Sequence, residues 1–564
     1  MNRLQRLLEE LKRRRVFRVA VVYAAVAFVI WQAAEIAVPG LNLPGWVLTL
    51  VILLTALRFP IAVALAWAFD ITPAGVKRTE SESVAAERPA VPTVEGAAER
   101  KSIVVLPFDN MSPDPQDAYL SDGLTEEIIT GLSCCRPLRV ISRNSARALK
   151  GTQKDTRTIA RELDVQYVLE GSVRRAGNDL RITAQLIDGR TDEHLWSERY
   201  SGRLDDVFDM QERLSRSIVD ALMLELSPEE ERRLTERPID NVRAYECYLR
   251  ARQEIWLFTK DALDRARQHL QNGLDIIGEN TLLLAGMGYV YAQYANLGVE
   301  HEESIEKAEE YAGKALELDP ESAEAHIVLG FTHQAFRGDR RKSVFHLKQA
   351  LARNPDDPHT LFWLLQAHDI VGRVDEAYPL AERLARVDPL TPISVCGKVF
   401  LDVSGGRFDV PSEELTKWFR LEPQNPLALL ACAGLLATCS RYDEVRELIR
   451  GNVRADLEDF STRLTLLLEG ALDGDSSRFR EIMTEDFRRT TRRDPEWSYC
   501  VAEMHAFAGL KDEALDWLSS AVDRGFINYP FIAEHDPALE SIRGEPRFRD
   551  ITARAKREWE HFDA

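Results

Sequence analysis

The sequence predicts a three-part chain of class α/β plus all-α: an N-terminal transmembrane helical hairpin, a small α/β domain and a C-terminal α-solenoid. Three observations predict it. Two long apolar runs stand close together near the start. Residues 101–226 mix short β-branched runs, turn residues and helical periods. From about residue 244 the strand signals stop, and landmark residues recur every 34 or 35 positions in amphipathic helical sequence.

Composition bounds the reading. The 564 residues are 45% apolar and 29% charged, which excludes wholesale disorder, a collagen-like chain and a small disulfide scaffold. A mean hydropathy of −0.26 excludes a polytopic membrane protein. The net charge of −19 argues against general affinity for nucleic-acid backbones. The seven cysteines are odd in number and contain no Cys-x-x-Cys, so they define neither a disulfide framework nor a zinc site. Scattered thiols fit a reducing compartment.

Residues 1–15 form a basic segment, and 16–78 read as a two-helix membrane hairpin. The apolar runs cover 16–38 and 46–69, each long enough for a hydrocarbon core of about 30 Å at about 1.5 Å per residue. An uncharged turn, VPGLNLPGW, joins them. Arg58 sits near the middle of the second run; its cost of roughly 3 kcal/mol is outweighed by thirteen Val, Leu, Ile and Phe residues. It is therefore kept as a candidate intramembrane charge. Basic residues flank both outer ends (Lys12 to Arg15 and Arg18; Lys77 and Arg78), which places both ends, and the bulk of the chain, in the cytoplasm. The alternatives are a cleaved signal peptide, or one span only with Arg58 defeating the second; either puts the remainder outside the cytoplasm. Residues 79–100, rich in Ala, Pro and Glu, read as a flexible linker.

In the α/β module, SIVVLPF is a buried strand and DNMSPDPQD a turn. A helix is expected over 124–134, a strand over 138–142 and a short helix over 156–163. VQYVLEGSVRRAG and DLRITAQLIDG flank a hairpin turn at Gly177, Asn178 and Asp179. HLWSERYSG gives a further strand, and 207–226 an amphipathic helix. The blocks KSIVVLPFDNMSPDPQDAYLSDGLTEEIITGLS, LRVISRNSARALKG, IARELDVQYVLEGSVRRAGNDLRITAQLIDGRTDEHLWSERY and DVFDMQERLSRSIVDAL, taken in that order over about 125 residues, resemble the TolB N-terminal-like domain. That resemblance implies a fold similar to the flagellar outer-membrane accessory and curli-secretion domains. The apolar segment resembles the hairpin often joined to this module and to tetratricopeptide repeats in bacterial proteins, which implies a bacterial inner membrane, with the periplasm as the side opposite the cytoplasm. Some relatives of that architecture carry a cyclase or winged-helix domain at the N-terminus. Neither is expected here, because about 15 residues precede the first apolar run.

A connector over 227–243 leads to the repeats. Asp319-Pro320, Asn354-Pro355, Asp388-Pro389 and Glu422-Pro423 recur at the repeat period, and so do Gly338, Gly372, Gly406, Ser440, Gly474 and Gly509. Proline ends the second helix of each unit because it cannot extend the hydrogen-bond ladder. The glycine or serine turns the first helix into the second, and the small residues Ala308, Ser343 and Ala377 let the two approach. The unit resembles the tetratricopeptide repeat, with about eight units over 244–528 and a capping region over 529–564. The resemblance implies a concave groove lined by the first helix of each unit, taking a peptide or partner helix. His333, Trp363 and His368 are the groove candidates; the competing reading puts Trp363 in the core and both histidines on the surface.

Chemistry is sparse. No Gly-x-x-x-x-Gly-Lys-Ser/Thr, Gly-x-Gly-x-x-Gly, Gly-x-Ser-x-Gly or His-Glu-x-x-His motif occurs. Glu126 and Glu127 are adjacent, point to different helix faces and read as solvated, as do Asp205 and Asp206. His326 and His333, seven apart, read as structural. Asp122-Gly123 reads as a helix N-cap, or less simply as an anion-binding helix start. The arginines at 488, 489, 492 and 493 are interleaved with acidic residues. These features predict a non-enzymatic, membrane-anchored scaffold without cofactor, metal or nucleic acid. Its partners are a protein or peptide in the groove, the bilayer at 16–69, and a second copy of the chain as a further option. The alternatives are a regulatory subunit of a cyclase-linked or transcriptional system, a periplasmic envelope-assembly accessory, or an unrecognised enzyme.

Overall fold

The computed structural model describes residues 69–72, 75–78, 100–255, 259–297, 299, 301–453 and 459–562. The chain divides into two compact units, Met1–Ala97 and Ala98–Ala564. In the first unit, β1 (Phe69–Thr72) and β2 (Gly75–Arg78) pair antiparallel. The expected hairpin helix therefore does not run through to residue 78. The two apolar runs, Arg58 and most of the 79–100 linker lie outside the described residues. No helix among the described residues is long and apolar enough to cross a membrane.

The second unit opens with the α/β module. Its elements are β3 (Lys101–Val105), β4 (Asp109–Asn110), α1 (Ala118–Ser133), β5 (Leu138–Val140), α2 (Arg143–Arg147), α3 (Thr156–Glu162), β6 (Tyr167–Ala176), β7 (Asp179–Asp188), β8 (His194–Arg203) and α4 (Val207–Ala221). The sheet order is β5-β3-β6-β7-β8, with β4 also pairing β6. β3 lies parallel to β5 and β6; β6, β7 and β8 form an antiparallel meander. The expected hairpin is present: Ala176 pairs with Asp179 across a two-residue turn, and Leu180, Ile182, Ala184 and Leu186 are all buried, as period-2 alternation requires.

Three local expectations change. Helix α1 begins six residues earlier than expected, so Asp122 and Gly123 lie inside it and cap nothing. The N-cap is Asp117. Glycine is needed at 123 for another reason: a Cβ there would stand 2.7 Å from the Leu249 side chain. Helix α4 ends at Ala221 rather than 226. The connector holds its own helix, α5 (Pro228–Leu234), closed by a capping box between Ser227 and Glu230.

Eight helix pairs follow among the described residues. They are α6 (Val242–Ile255) with α7 (Lys260–Ile277), α8 (Thr281–Asn296) with α9 (His301–Leu318), α10 (Ala323–Thr332) with α11 (Arg340–Arg353), and α12 (Pro358–Ile370) with α13 (Val374–Val387). Then come α14 (Pro392–Ser404) with the split α15 (Ser412–Leu415) and α16 (Lys417–Leu421), α17 (Pro426–Thr438) with α18 (Tyr442–Asn452), α19 (Phe460–Asp473) with the split α20 (Ser476–Ile482) and α21 (Glu485–Thr491), and α22 (Pro495–Phe507) with α23 (Lys511–Asp523). The helix-turn-helix solenoid read from the 34-residue period is formed. Gly338, Gly372, Gly406, Gly474 and Gly509 all have φ between 67° and 82°, and Ser440 takes 59° in the same slot. The second helices stop at Leu318, Arg353, Val387 and Leu421, just before the predicted prolines. A further phase was not read from the sequence. Ser322, Asp357, Asn425, Asp459 and Asp494 each accept a backbone N–H at the start of a first helix, worth about 1 kcal/mol per cap.

The array closes on itself. The region expected to be a cap holds a π-helical turn (Phe531–His535), a 3-10 turn (Pro537–Ile542) and α24 (Pro546–Glu560). It returns to the fourth pair. The Ile527 N–H donates to the Ile370 carbonyl at 3.1 Å, the Asn528 amide to the Asp369 carbonyl at 3.0 Å, and Arg373 to the carbonyls of Trp559 and Phe562 at 2.9 and 3.0 Å.

Gly474 (φ 70°) has open space where a Cβ would point, and so does Gly313, in the middle of α9 at ordinary helical geometry. Gly474→Ala is expected to cost about 1–2 kcal/mol, and Gly313→Ala to gain about 0.5–1 kcal/mol. Thermal unfolding of the two variants checks this: the midpoint falls for the first and rises for the second.

Candidate functional site

The α/β module sits against the inner helices of the first pairs. Glu126, on α1, is 8% exposed. Its carboxylate takes Arg143 of the module at 2.6 Å and Arg252 of α6 on its other oxygen. Nearby, the Tyr119 hydroxyl donates to Glu246 at 2.5 Å, Arg175 reaches both, and Arg250 stacks on the Tyr119 ring at 4.0 Å. A second anchor lies farther along the solenoid. Asp388, 2% exposed, belongs to one of the repeat-ending Asp-Pro pairs. It accepts the hydroxyls of Ser142 and Ser145 (2.6 Å) from the module and those of Thr391 and Ser394 (both 2.8 Å) from its own turn. Arg100 reaches Asp356 at 3.0 Å, and Asp356 also holds Arg383 at 2.6 Å.

Between these anchors a cavity of about 580 Å³ stays open. One wall is α1 and α4, with Glu127, Phe208 and Gln211. The other is the inner face of α6, α8 and α10, with Tyr245, Tyr248, Arg252, Tyr289, Glu324 and Ile327. Tyr245, Tyr248 and Arg252 share one face of α6 because they sit three and four residues apart. Arg252 donates to the Tyr248 hydroxyl at 3.3 Å, and Gln211 to the Tyr245 hydroxyl at 2.8 Å.

The electrostatics are uneven. Burial works against the Arg252 charge, but Glu126, Tyr248, Glu324 and Glu127 together outweigh it and raise the guanidinium pKa above its ordinary value. Burial pushes the Glu127 carboxyl up to about 7; neighbouring Glu126 adds to the rise and Arg252 opposes it. Burial also raises Glu324, which its own backbone N–H and Arg252 partly offset. Burial raises Tyr245 and Tyr248, with Glu127 contributing to both. The other cations of the lining are already matched: Arg237 by Asp209 and Glu212 (2.7 and 2.8 Å), Arg233 by Glu229 (2.8 Å), and Arg353 by Glu321 and Glu236 (3.0 and 3.4 Å).

The residues singled out from the sequence lie elsewhere. Trp363 is half-buried, packed on Phe331 and Phe362 with ring centroids at 4.7 and 5.1 Å. His368 is 3% exposed, and burial pushes its pKa down to about 4. His333 stacks on His346 at 5.7 Å, and the His346 Nδ1 faces the Nδ1 of His326 at 2.9 Å. The Pro320 carbonyl lies 3.1 Å from the His326 Nε2, which makes that nitrogen the donor and His326 Nδ1 the acceptor. None of His333, Trp363 or His368 lines the cavity. Glu126 and Glu127, expected to be solvated, are instead its buried anchor and its half-buried floor. The stripe of Tyr245, Tyr248 and Arg252 on an otherwise apolar helix face was the signal that could have found the site. Among the described residues no group of three or more His, Cys, Asp or Glu is placed to hold a metal ion, and all seven cysteines are free.

Comparison with known proteins adds sequence likeness to this geometry. Residues 99–221, the α/β module, match the family model described as HilA/YgeH-like transcriptional regulator, second domain. The chain is 50% identical over 177 residues to a putative adenylate cyclase 3 of Rhizobium meliloti (strain 1021). That match covers 31% of this chain and 30% of that protein, so the chain spans less than a third of its relative's length. Among solved structures, it is similar to a thermophilic tetratricopeptide repeat protein of Thermus thermophilus (17% identity, 34% of this chain, 99% of that one, TM-score 0.28). It is also similar to the LpoB C-terminal domain of Salmonella enterica (22% identity, 19% of this chain, 87% of that one, TM-score 0.16).

Glu127 generates a pH prediction. Its folded-state pKa of about 7 lies above its ordinary 4.5. The folded chain therefore holds the proton longer than the unfolded one, and stability falls as pH rises from about 4.5 to about 7, then levels off. Glu127→Gln should remove this dependence, leaving the variant more stable than the parent at pH 8 by about 1–3 kcal/mol. Thermal unfolding of both proteins at pH 5 and pH 8 measures it; equal pH slopes would refute the assignment.

Proposed function

We propose that this chain is a membrane-anchored, non-enzymatic scaffold that holds a partner polypeptide between its α/β module and the inner face of its first repeats. The observation that carries the proposal is the cavity. The module is tied to the repeats through Glu126 and Asp388, and beside those ties a cavity with a mixed apolar and ionic lining stays open. An inner face of tandem helix pairs is a surface that takes an extended peptide or an amphipathic helix. The two apolar runs at 16–38 and 46–69, with basic residues outside both ends, support the anchor and its cytoplasmic orientation. The absence of nucleophile-elbow, phosphate-loop and zinc-helix motifs from the sequence supports a non-enzymatic role. The module also supports kinship with TolB N-terminal-like domains.

A second reading rests on the family and relative matches. The module resembles the second domain of a transcriptional regulator, and the relative is named an adenylate cyclase. Under this reading the held partner is the effector of such a regulatory system, and this chain is its sensory or regulatory subunit. An envelope-assembly role would follow from the opposite membrane orientation.

A photo-crosslinker separates these readings from an inert array. Benzoyl-phenylalanine at Ile327, inside the cavity, should yield one defined protein adduct in cells. The same group at Phe345, exposed on the outer helix α11, should not. The adduct should stay with membranes after an alkaline wash. Equal adducts from both positions, or none from Ile327, would refute the scaffold role.

A further inference from the structure

We propose that the cavity receives a lysine or arginine side chain of the partner polypeptide, its cationic end facing Glu127 and Glu324 and its aliphatic stem lying on Tyr248, Tyr289 and Ile327. This deepens the groove reading above and rests on it.

The first argument is charge. Arg237, Arg233 and Arg353 are each held by their own carboxylates, and Arg252 is committed to Glu126. Among the described residues Glu127 and Glu324 form no ion pair: Glu127 has the long-range attraction of Arg252, and Glu324 that of Arg252 and Arg353 besides its own backbone N–H. The two facing walls thus carry two carboxylates and no cation committed to them, in a place where burial already makes their ionisation costly. A cation entering from outside relieves both. An anion would meet two carboxylates, and a neutral side chain would leave them as they are. Burying a charge is tolerated where a counter-charge and hydrogen bonds await it.

The second argument is shape and surface. A volume of about 580 Å³ lies within the range for small-ligand pockets, enough for one long side chain and its flanking backbone. The walls combine Tyr245, Tyr248 and Tyr289 with Ile128, Ile255, Ile327 and Val328. Lysine and arginine are amphipathic, burying a methylene stem while the head seeks charge. Aromatic faces add cation–π attraction of about 0.5–2 kcal/mol.

The pH response follows from the same groups. Facing Glu127 are Glu126 on its own helix, Tyr245, Tyr248 and Arg252 on α6, and Glu324 on α10, with Glu212 and His359 at the margin of the lining. Of these, Glu127 titrates at about 7. A cationic ligand favours its ionised form, so binding releases a proton and tightens as pH rises. From pH 6 to pH 8 the ionised fraction rises about tenfold, and affinity should follow.

The test uses the full-length chain in detergent and four fluorescein-labelled heptapeptides, identical except for a central Lys, Arg, norleucine or Glu, read by anisotropy. The Lys and Arg peptides are expected to bind at least tenfold more tightly than the norleucine peptide. Glu127→Gln and Glu324→Gln should each weaken the Lys peptide by about tenfold and leave the norleucine peptide unchanged. The Lys affinity should rise about tenfold from pH 6 to pH 8, with the norleucine affinity flat. Because the four peptides are compared on the unsubstituted protein, the outcome does not depend on either variant folding. Norleucine or Glu binding as tightly as Lys overturns the cationic assignment and leaves the groove reading standing. If none of the four binds at millimolar concentration, both fall.

Discussion

One carboxylate shared by two guanidinium groups joins the two halves of this molecule. Glu126 is buried on helix α1, and its oxygens are divided between Arg143 of the α/β module and Arg252 of the first repeat helix. A charge taken out of water costs several kcal/mol unless its partners stay in place, so the ion triad fixes how α1 lies against α6. That approach is close enough to demand glycine at 123, opposite Leu249. The next residue along the helix is turned about 100° away. Glu127 therefore leaves the ionic anchor and faces the cavity. The anchor and the candidate site are consecutive residues with different duties.

The second constraint lies well over a hundred residues away in sequence. Asp388 closes a repeat helix and gathers four hydroxyls, two of them from the module. With anchors at both ends, the module bridges the inner face of the first four helix pairs. Its approach to that face is fixed by further pairs, Tyr119 and Arg175 with Glu246 on one side and Arg100 with Asp356 on the other. The cavity is what remains, with its lining oriented before any ligand arrives, and such preorganisation lowers the entropy cost of binding. The far end of the array contributes differently. Ile527, Asn528 and α24 return to the left-handed turn at Gly372, so the end of the array is fastened to the fourth pair.

Some of this was legible in the sequence. The left-handed turn positions were readable because backbone sterics allow few residues there, and a period of 34 marks them from Gly338 to Gly509. The two-residue turn at Gly177 and Asn178 was readable for the same reason. The start of the helix near Gly123 was misread because an aspartate followed by a glycine serving close packing looks, in one dimension, like a helix N-cap. Glu126 and Glu127 were read as solvated because adjacent acids usually are. Their burial depends on Arg252, more than 120 residues away, and contacts of that separation leave no periodic trace. His368 was legible as a helix residue on the repeat pattern, but not its burial. The serines at 142 and 145 stood inside a block singled out for family resemblance; nothing local showed that their acceptor would be a repeat-ending aspartate.

The account stands on the module and the first repeats being one cooperative body. Hydrogen exchange of the full-length chain across a series of low denaturant concentrations tests that directly. The amides of α1 and α6 should open together, with the same free energy and the same denaturant slope. If α1 opens with the sheet of its own module while α6 keeps a separate, independent slope, the shared carboxylate does not join the two halves, and the cavity between them is not a fixed site.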